Sequence, residues 1–203
     1  IEKERRIGMH GSGRNSGVLH SGIYYPSDTL KAKFCSEGSE LMASYCEKYN
    51  LPLMKCGKVI LPTKSEDEDQ IDLLYKRGVK NGASVKIISQ KELREIEPEA
   101  STIAQRALYS PNTSVIDPYA VLSKIQSELN NSDVIILFNE KVISANPDQS
   151  TITTNKDNNF KYKHLINCTG QYSDVVSKLF NVGKKYTLLP FKGLYYGLSK
   201  NSN

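Results

Sequence analysis

A chain of 203 residues is long enough to bury a sizeable core, as one large domain or two small intermixed ones. Its net charge of +5 comes from basic residues scattered among acids, a solvated surface rather than the basic stripe that a nucleic-acid partner requires. The cysteines, at positions 35, 46, 56 and 168, form no Cys-x-x-Cys pair, which argues against a zinc ribbon or redox dithiol and suits small apolar residues in a reducing compartment, and no apolar stretch reaches membrane-spanning length.

The chain opens Ile1-Glu2-Lys3-Glu4, without a Met. The segment from Gly11 to Tyr25 then concentrates glycines (Gly11, Gly13, Gly17, Gly22), serines (Ser12, Ser16, Ser21), Arg14, Asn15 and His20 ahead of Ile23-Tyr24-Tyr25. Glycines at this density let backbone N–H groups approach a ligand, and small hydroxyl and amide side chains add donors without bulk. A phosphate, a pyrophosphate or a flat polar ring suits such a loop. The competing reading is a plain Gly/Ser linker, which has no reason to place Arg, Asn and His between its glycines. His10 and His20 are too far apart for a helical metal pair, and no acid accompanies them within the loop.

Pro26-Ser27-Asp28 punctuates the chain and can cap a helix over 30–49, whose core stripe is Leu30, Phe34, Leu41, Tyr45, Cys46 and Tyr49. Cys35 and Cys46 share a face of that helix. Residues 56–63 read as a strand. Ser65-Glu66-Asp67-Glu68 reads as a capping box for a helix carrying Ile71, Leu74, Tyr75 and Val79 and ending near Asn81-Gly82. A short strand over 85–88 leads into a second capping box, Ser89 to Glu92, and a helix stopped by Glu97-Pro98. Ala107-Leu108-Tyr109 is a strand and Pro111-Asn112 a turn. Asp117-Pro118 places an N-cap and a first-turn proline before a helix over 119–129. A buried strand over 134–138 continues extended through 141–145. Residues 151–154 and 160–166 form a β-meander, 173–180 a short helix, and 188–198 a strand-rich end. The order is α/β with antiparallel pieces inserted in the middle.

The run His10-x-Ser12-Gly13-x-Asn15-Ser16-Gly17-Val18-x-His20-x-Gly22-x-Tyr24-Tyr25 resembles the signature of the L-2-hydroxyglutarate dehydrogenases/oxidases, FAD-dependent oxidoreductases of the D-amino-acid-oxidase-like class. Leu30-Lys31-Ala32-Lys33, Cys56-Gly57-Lys58, Glu97-Pro98, Asn167-Cys168-Thr169-Gly170 and Pro190-Phe191-Lys192-Gly193-Leu194-Tyr195-Tyr196 echo it downstream in the same order. Gly11-Ser12 stands where Gln-Thr is usual, and Lys192 where Arg is common. Neither departure removes a required donor or charge.

The resemblance implies a partial Rossmann-like FAD-binding domain (1–50 and 116–186) with a mixed-sheet substrate domain (51–115 and 187–203), the α+β insertion. It implies FAD as cofactor and a small 2-hydroxy acid, L-2-hydroxyglutarate, as substrate. Oxygen or a quinone-type compound would be the electron acceptor. The setting would be the cytoplasm, at most peripheral to a membrane, or the mitochondrion in a eukaryote. No Gly-x-Gly-x-x-Gly turn stands in a strand–turn–helix setting here, so the resemblance makes this an internal piece of a longer flavoprotein, with Glu2 in the place of the ribose-binding acid. On residues alone, Glu2 is equally a solvated acid.

By the same resemblance, Ser12, Gly13, Arg14, Asn15, Ser16 and Gly17 contact the flavin's pyrophosphate, ribityl chain or ring edge, although the Arg14 guanidinium equally suits a substrate carboxylate. Thr169 and Gly170 form a second flavin contact, or else an ordinary strand-to-turn glycine. Val142 offers backbone hydrogen bonds to adenine, or is a buried strand residue. Asp174 fits the acid that follows the second contact, or is a helix-start charge. His20 takes the hydroxyl proton, or is a polar loop residue with the base elsewhere. Lys192 stabilises the reduced flavin or the substrate carboxylate. Tyr24, Tyr25, Tyr195 and Tyr196 wall the pocket, or pack. Two rival readings are a related flavoenzyme for glycerol-3-phosphate or an amino acid, and a catalytically inactive fragment.

Overall fold

A computed structural model of the protein describes residues 1–194. They divide into two compact units, one of residues 12–132 and one of residues 1–11 with 133 onward.

The first unit carries two antiparallel sheets. Strand β6 (Ser114–Ile116) lies between β1 (Val18–Leu19) and β2 (Leu53–Met54), and β5 (Arg106–Ser110) lies between β3 (Lys58–Ile60) and β4 (Lys86–Ser89). Strands β1, β2 and β6 are too short to show a period of two in the sequence and went unpredicted. Helix α1 (Leu30–Lys48) precedes β2, α2 (Glu68–Lys80) and α3 (Gln90–Ile96) flank β4, and α4 (Pro118–Asn130) follows β6. The start of α4 fits the sequence reading. The Asp117 side chain accepts hydrogen bonds from the Tyr119 and Ala120 N–H groups, and Pro118 stands in the first turn. At α3 the Ser89–Glu92 capping box closes in both directions.

Two other helix starts differ from expectation. Helix α1 is capped by Thr29, whose hydroxyl accepts from the Ala32 N–H, one residue beyond the predicted Pro-Ser-Asp. The Ser65 capping box does not form, because 65–67 wind into a 3-10 turn and Asp67 caps α2 without a side-chain bond. The α1 stripe is also not the core. Leu30, Phe34 and Leu41 are exposed, while Ala32 and Cys46 are buried. The inner face carries the small residues, and the bulky ones lie outward. Tyr45 instead ties α1 to α4, its hydroxyl donating to Glu128 at 2.7 Å.

Two apolar clusters hold this unit. Ile23, Ile71 and Leu108 form one, and Ile88, Leu93 and Ala107 the other. Leu108 and Ala107 are neighbours on β5, so this central strand serves both clusters, one on each face. Arg106 on the same strand reaches α2 through paired bonds to Asp72 at 3.0 and 2.9 Å.

The second unit contains the meander β7 (Val142–Asn146), β8 (Thr151–Thr154) and β9 (Asn159–Lys161), and helix α5 (Ser173–Leu179). The third strand stops earlier than predicted. Residues 134–138 form no strand, and Ile135 is 81 % exposed rather than buried. Their bonds run instead to the start of the chain, where the Glu2 N–H donates to Leu137 O at 2.8 Å and the Glu140 N–H to Glu2 O at 2.9 Å. Residues 188–194 are not strand, and the remainder of that predicted element lies outside the described residues.

Candidate active site

The glycine-dense loop winds into a 3-10 turn at Gly11–Gly13 and enters β1 at Val18. Its polar side chains organise their own backbone. The Asn15 amide donates to Ser12 O at 2.9 Å, and its oxygen accepts from the Gly17 N–H at 2.9 Å. Gly17 holds φ +68°, and a Cβ there would lie 2.3 Å from Ile116 O. The glycine at 17 is therefore demanded by the close approach of β6. Ser12, Arg14 and Ser16 are exposed, and Arg14 forms no ion pair among the described residues. Hydroxyls and an uncommitted guanidinium make a donor set chemically suited to an anionic, hydroxyl-rich group such as a dinucleotide.

His20 follows β1 directly. Its carbonyl accepts from the Cys35 thiol of α1 at 3.0 Å. Ser21 Oγ lies 3.3 Å from Ser110 Oγ, which accepts from Thr113 Oγ1 at 3.1 Å. Gly22 turns the chain at φ +82°, and Ile23 then drops into the Leu108 cluster. Beyond the turn, the Asn81 amide donates to Gly22 O at 2.8 Å and Tyr25 O at 3.0 Å, and Arg77 donates to Tyr24 O at 3.3 Å. The loop carrying His20, Tyr24 and Tyr25 is thus pinned by a buried isoleucine beneath and by the end of α2 at the side.

Two aromatic contacts order the side chains. The Tyr24 ring stands edge-on to the His20 ring at 6.1 Å, and the Lys58 ammonium lies 4.6 Å over the Tyr24 ring. Tyr25 is covered by Lys31 at 4.7 Å instead. Burial, followed by the positive charge of Lys58, holds the His20 imidazole below its ordinary pKa of 6.5. The neutral ring that results can accept a proton. Lys58, Cys35 and Asn81 escaped sequence reasoning as parts of this cluster, because only folding brings them to the loop. The Cys56-Gly57-Lys58 motif was the one available signal.

In the second unit Thr169 and Gly170 form an exposed corner ahead of α5. Asn167 Oδ1 accepts from the Thr169 hydroxyl at 2.6 Å, and the Asn167 amide donates to Ser173 O at 2.8 Å. Gly170 has φ +55°, and no protein atom would come within 4 Å of a Cβ there. Its open face contrasts with the occupied one at Gly17. Beside it His10 accepts from the Gln171 amide at Nδ1, 2.9 Å, and donates from Nε2 to Glu4 at 2.8 Å, in the tautomer that satisfies both. Lys3 pairs with the same Glu4 carboxylate and lies 4.7 Å over the Tyr172 ring. Glu2 is half-buried, and one of its oxygens accepts from the Glu4 N–H at 2.8 Å. Val142 opens β7 opposite Thr154. Asp174 accepts from the Leu188 N–H and pairs with Lys178, which ties α5 to the following segment. Lys192 is exposed outside any regular element, and Tyr195 and Tyr196 lie outside the described residues.

Among the described residues no helix is long and apolar enough to cross a membrane. The profile of the DAO family, described as FAD dependent oxidoreductase, matches residues 1–203. An L-2-hydroxyglutarate dehydrogenase of Indibacter alkaliphilus is 35 % identical over 207 residues, covering 98 % of this chain and 50 % of the relative. A mitochondrial L-2-hydroxyglutarate dehydrogenase of Dictyostelium discoideum is 34 % identical, with 96 % and 48 % covered. The chain thus spans about half the length of the curated relatives it matches. Among solved structures, the FAD-bound L-alpha-glycerophosphate oxidase of Mycoplasma pneumoniae superposes with a TM-score of 0.76 at 26 % identity, over 88 % of this chain and 49 % of that one. Glycine oxidase of Geobacillus kaustophilus gives 0.79 at 16 % identity, over 89 % and 50 %, a likeness of fold alone.

Proposed function

Because this chain belongs to the DAO family of FAD-dependent oxidoreductases, we propose that it is part of a dehydrogenase or oxidase that converts L-2-hydroxyglutarate to 2-oxoglutarate. The reading rests on one observation above the others. The relatives that match nearly the whole chain at 34–35 % identity are L-2-hydroxyglutarate dehydrogenases, and this chain carries the Asn15 to Tyr25 run that resembles their signature.

FAD would be held by Ser12, Gly13, Arg14, Asn15 and Ser16, with Gly17 shaping the loop, and by Thr169 and Gly170, while Glu2 and Val142 would serve the adenosine end. These contacts would come from the cofactor domain of 1–50 and 116–186, with 51–115 and 187 onward facing substrate. Flavin, when bound, supplies a hydride acceptor and hands the electrons on to oxygen or a quinone-type compound. The chain's own residues do the rest. His20, kept neutral, would take the proton of the substrate hydroxyl as the carbinol hydrogen leaves with its electron pair. Tyr24 and Tyr25 would wall the pocket, and Lys192 would offer a cation to a carboxylate.

The test is the full-length protein. It should purify yellow, and anaerobic L-2-hydroxyglutarate should bleach the flavin. A glycerol-3-phosphate reading draws on the 26 % identical glycerophosphate oxidase. Bleaching by glycerol-3-phosphate and not by the hydroxy acid would install it instead. A full-length protein free of flavin would leave the inactive reading standing.

A further inference from the structure

We propose that Lys58 is a specificity-determining residue, which receives an anionic group of the substrate remote from the carbinol that His20 serves. The inference rests on the hydroxy-acid reading above and deepens it, because it selects a diacid over a monoacid at the same site.

Lys58 begins β3, and its place is fixed by the residue before it. Gly57 holds φ +70°, donates its N–H to Thr113 O at 2.9 Å, and lies so close to Tyr109 that a Cβ would sit 2.8 Å from the ring. Only glycine lets the chain pass Tyr109 and start the strand at this point. Lys58 then pairs in register with Ser110, the buried hydroxyl behind Ser21. Its backbone is thus tied to the two residues that also support the His20 loop.

The ammonium is directed over Tyr24, 4.6 Å from the ring centre, and Tyr24 in turn stands against His20. Lys58 and His20 thus share one ring, so that a cation and a neutral base stand beside the same tyrosine. Of the other half-buried cations of this unit, Arg106 is paired with Asp72 and Glu68 and Lys124 with Glu128, while Arg77 donates to Tyr24 O. Lys58 is half-buried too, yet it forms no ion pair among the described residues. A half-buried ammonium that rests on an aromatic face, with no acid opposite, keeps hydrogen-bond donors for an arriving anion. A 2-hydroxy diacid carries such an anion at the far end of a short chain from its hydroxyl, so it can offer one end to the cation and the other to the base beside the same ring.

The full-length flavoenzyme tests this directly. The ratio of kcat/KM for L-2-hydroxyglutarate to that for L-2-hydroxybutyrate should fall roughly 30-fold in Lys58→Met, the size of a lost charge-assisted hydrogen bond, mainly through KM. Lys58→Arg should restore most of it. Binding of glutarate, followed by perturbation of the flavin spectrum, should weaken by a similar factor in Lys58→Met. In the wild type, KM for the diacid should rise with ionic strength more steeply than KM for the monoacid, a measurement that requires no variant to fold. An unchanged diacid-to-monoacid ratio in Lys58→Met, or equal salt dependence for the two substrates, overturns the assignment while leaving the hydroxy-acid reading intact. A wild-type flavoprotein that no 2-hydroxy acid reduces overturns the functional reading itself.

Discussion

The two compact units are held together by different forces. In the unit of residues 12–132 the buried groups are mostly apolar, and the clusters around Leu108 and Leu93 meet on one strand. In the unit of 1–11 and 133 onward, Ile152 is the one buried hydrophobic residue among those described, and the other buried groups are Glu140 and Thr154. Those two bond to each other at 2.7 Å, and Asn158 donates to the same carboxylate at 2.6 Å. Apolar burial is indifferent to direction and tolerates repacking, whereas a buried carboxylate must keep every partner. The lesson for function is that the His20 loop stands on a hydrophobic base, while the Thr169–Gly170 corner belongs to a unit organised by polar contacts.

The largest expected difference between the units comes from truncating an apolar residue in each. Leu108→Ala should cost about 2–5 kcal/mol of unfolding free energy in urea titration, because Leu108 is fully buried beside Ile23 and Ile71. Ile135→Ala, at 81 % exposure, should stay within about 0.5 kcal/mol. Equal losses at the two sites would mean that Ile135 is covered in solution, and the contrast between the units would fail.

Glycines sharpen the comparison at a smaller scale. Gly17→Ala should cost about 2–4 kcal/mol, because its φ is left-handed and the new methyl would meet Ile116 O. Gly170→Ala keeps only the first of these terms and should cost about 1–2 kcal/mol. Flavin content should reverse the order of interest. If the open face at Gly170 is where the cofactor comes close, its alanine variant should purify with less flavin per protein than Gly17→Ala despite its smaller loss of stability. Full flavin occupancy in that variant would remove Gly170 from the binding surface.

Next in size is Asn81→Ala. It removes both side-chain bonds to Gly22 O and Tyr25 O and should cost about 1–2 kcal/mol. Because the loss falls on the loop bearing Tyr24, hydrogen exchange should quicken at residues 22–25 and leave β7 and β8 unchanged.

Much of this was readable from the chain before folding. Ser89–Glu92 and Asp117–Pro118 state their helix starts outright, since the side chain that caps is the side chain that is read. The apolar stripe of α1 was legible as a helix but not as a surface. Periodicity marks a face, and only the neighbour decides whether Leu30, Phe34 and Leu41 or Ala32 and Cys46 turn inward. Residues 134–138 are rich in β-branched and apolar side chains, yet strand formation requires a partner at ladder distance, which sequence does not report. His20 and its loop stood out through composition. Lys58 did not, because its meaning depends on its sharing the Tyr24 ring with an imidazole far away in sequence.

The smallest effect is in pH, and it separates the units by where stability is lost rather than by how much. His20 is held below its ordinary value of 6.5 by burial and then by Lys58. A depressed histidine favours the fold fully above 6.5, and that contribution fades as pH falls through the folded value. Glu140 is held below 4.5 by the Asn158 and Thr154 hydrogen bonds, so its contribution is complete above 4.5 and fades only beneath it. Glu4 and Asp174 in the same unit, and Asp72, Glu92 and Glu128 in the other, are also depressed and act in that lower window. From pH 6.5 down to 4.5 the His20 unit should therefore soften first, while the Glu140 unit holds. Site-resolved hydrogen exchange at pH 7, 5.5 and 3.5 reads this out. Protection near β1 and α1 should decline between the first two pH values, and protection in β8 only near the third. His20→Gln should abolish the early decline and leave the late one. A simultaneous decline in both regions, unchanged in His20→Gln, would mean that the imidazole is not what the apolar unit loses to acid.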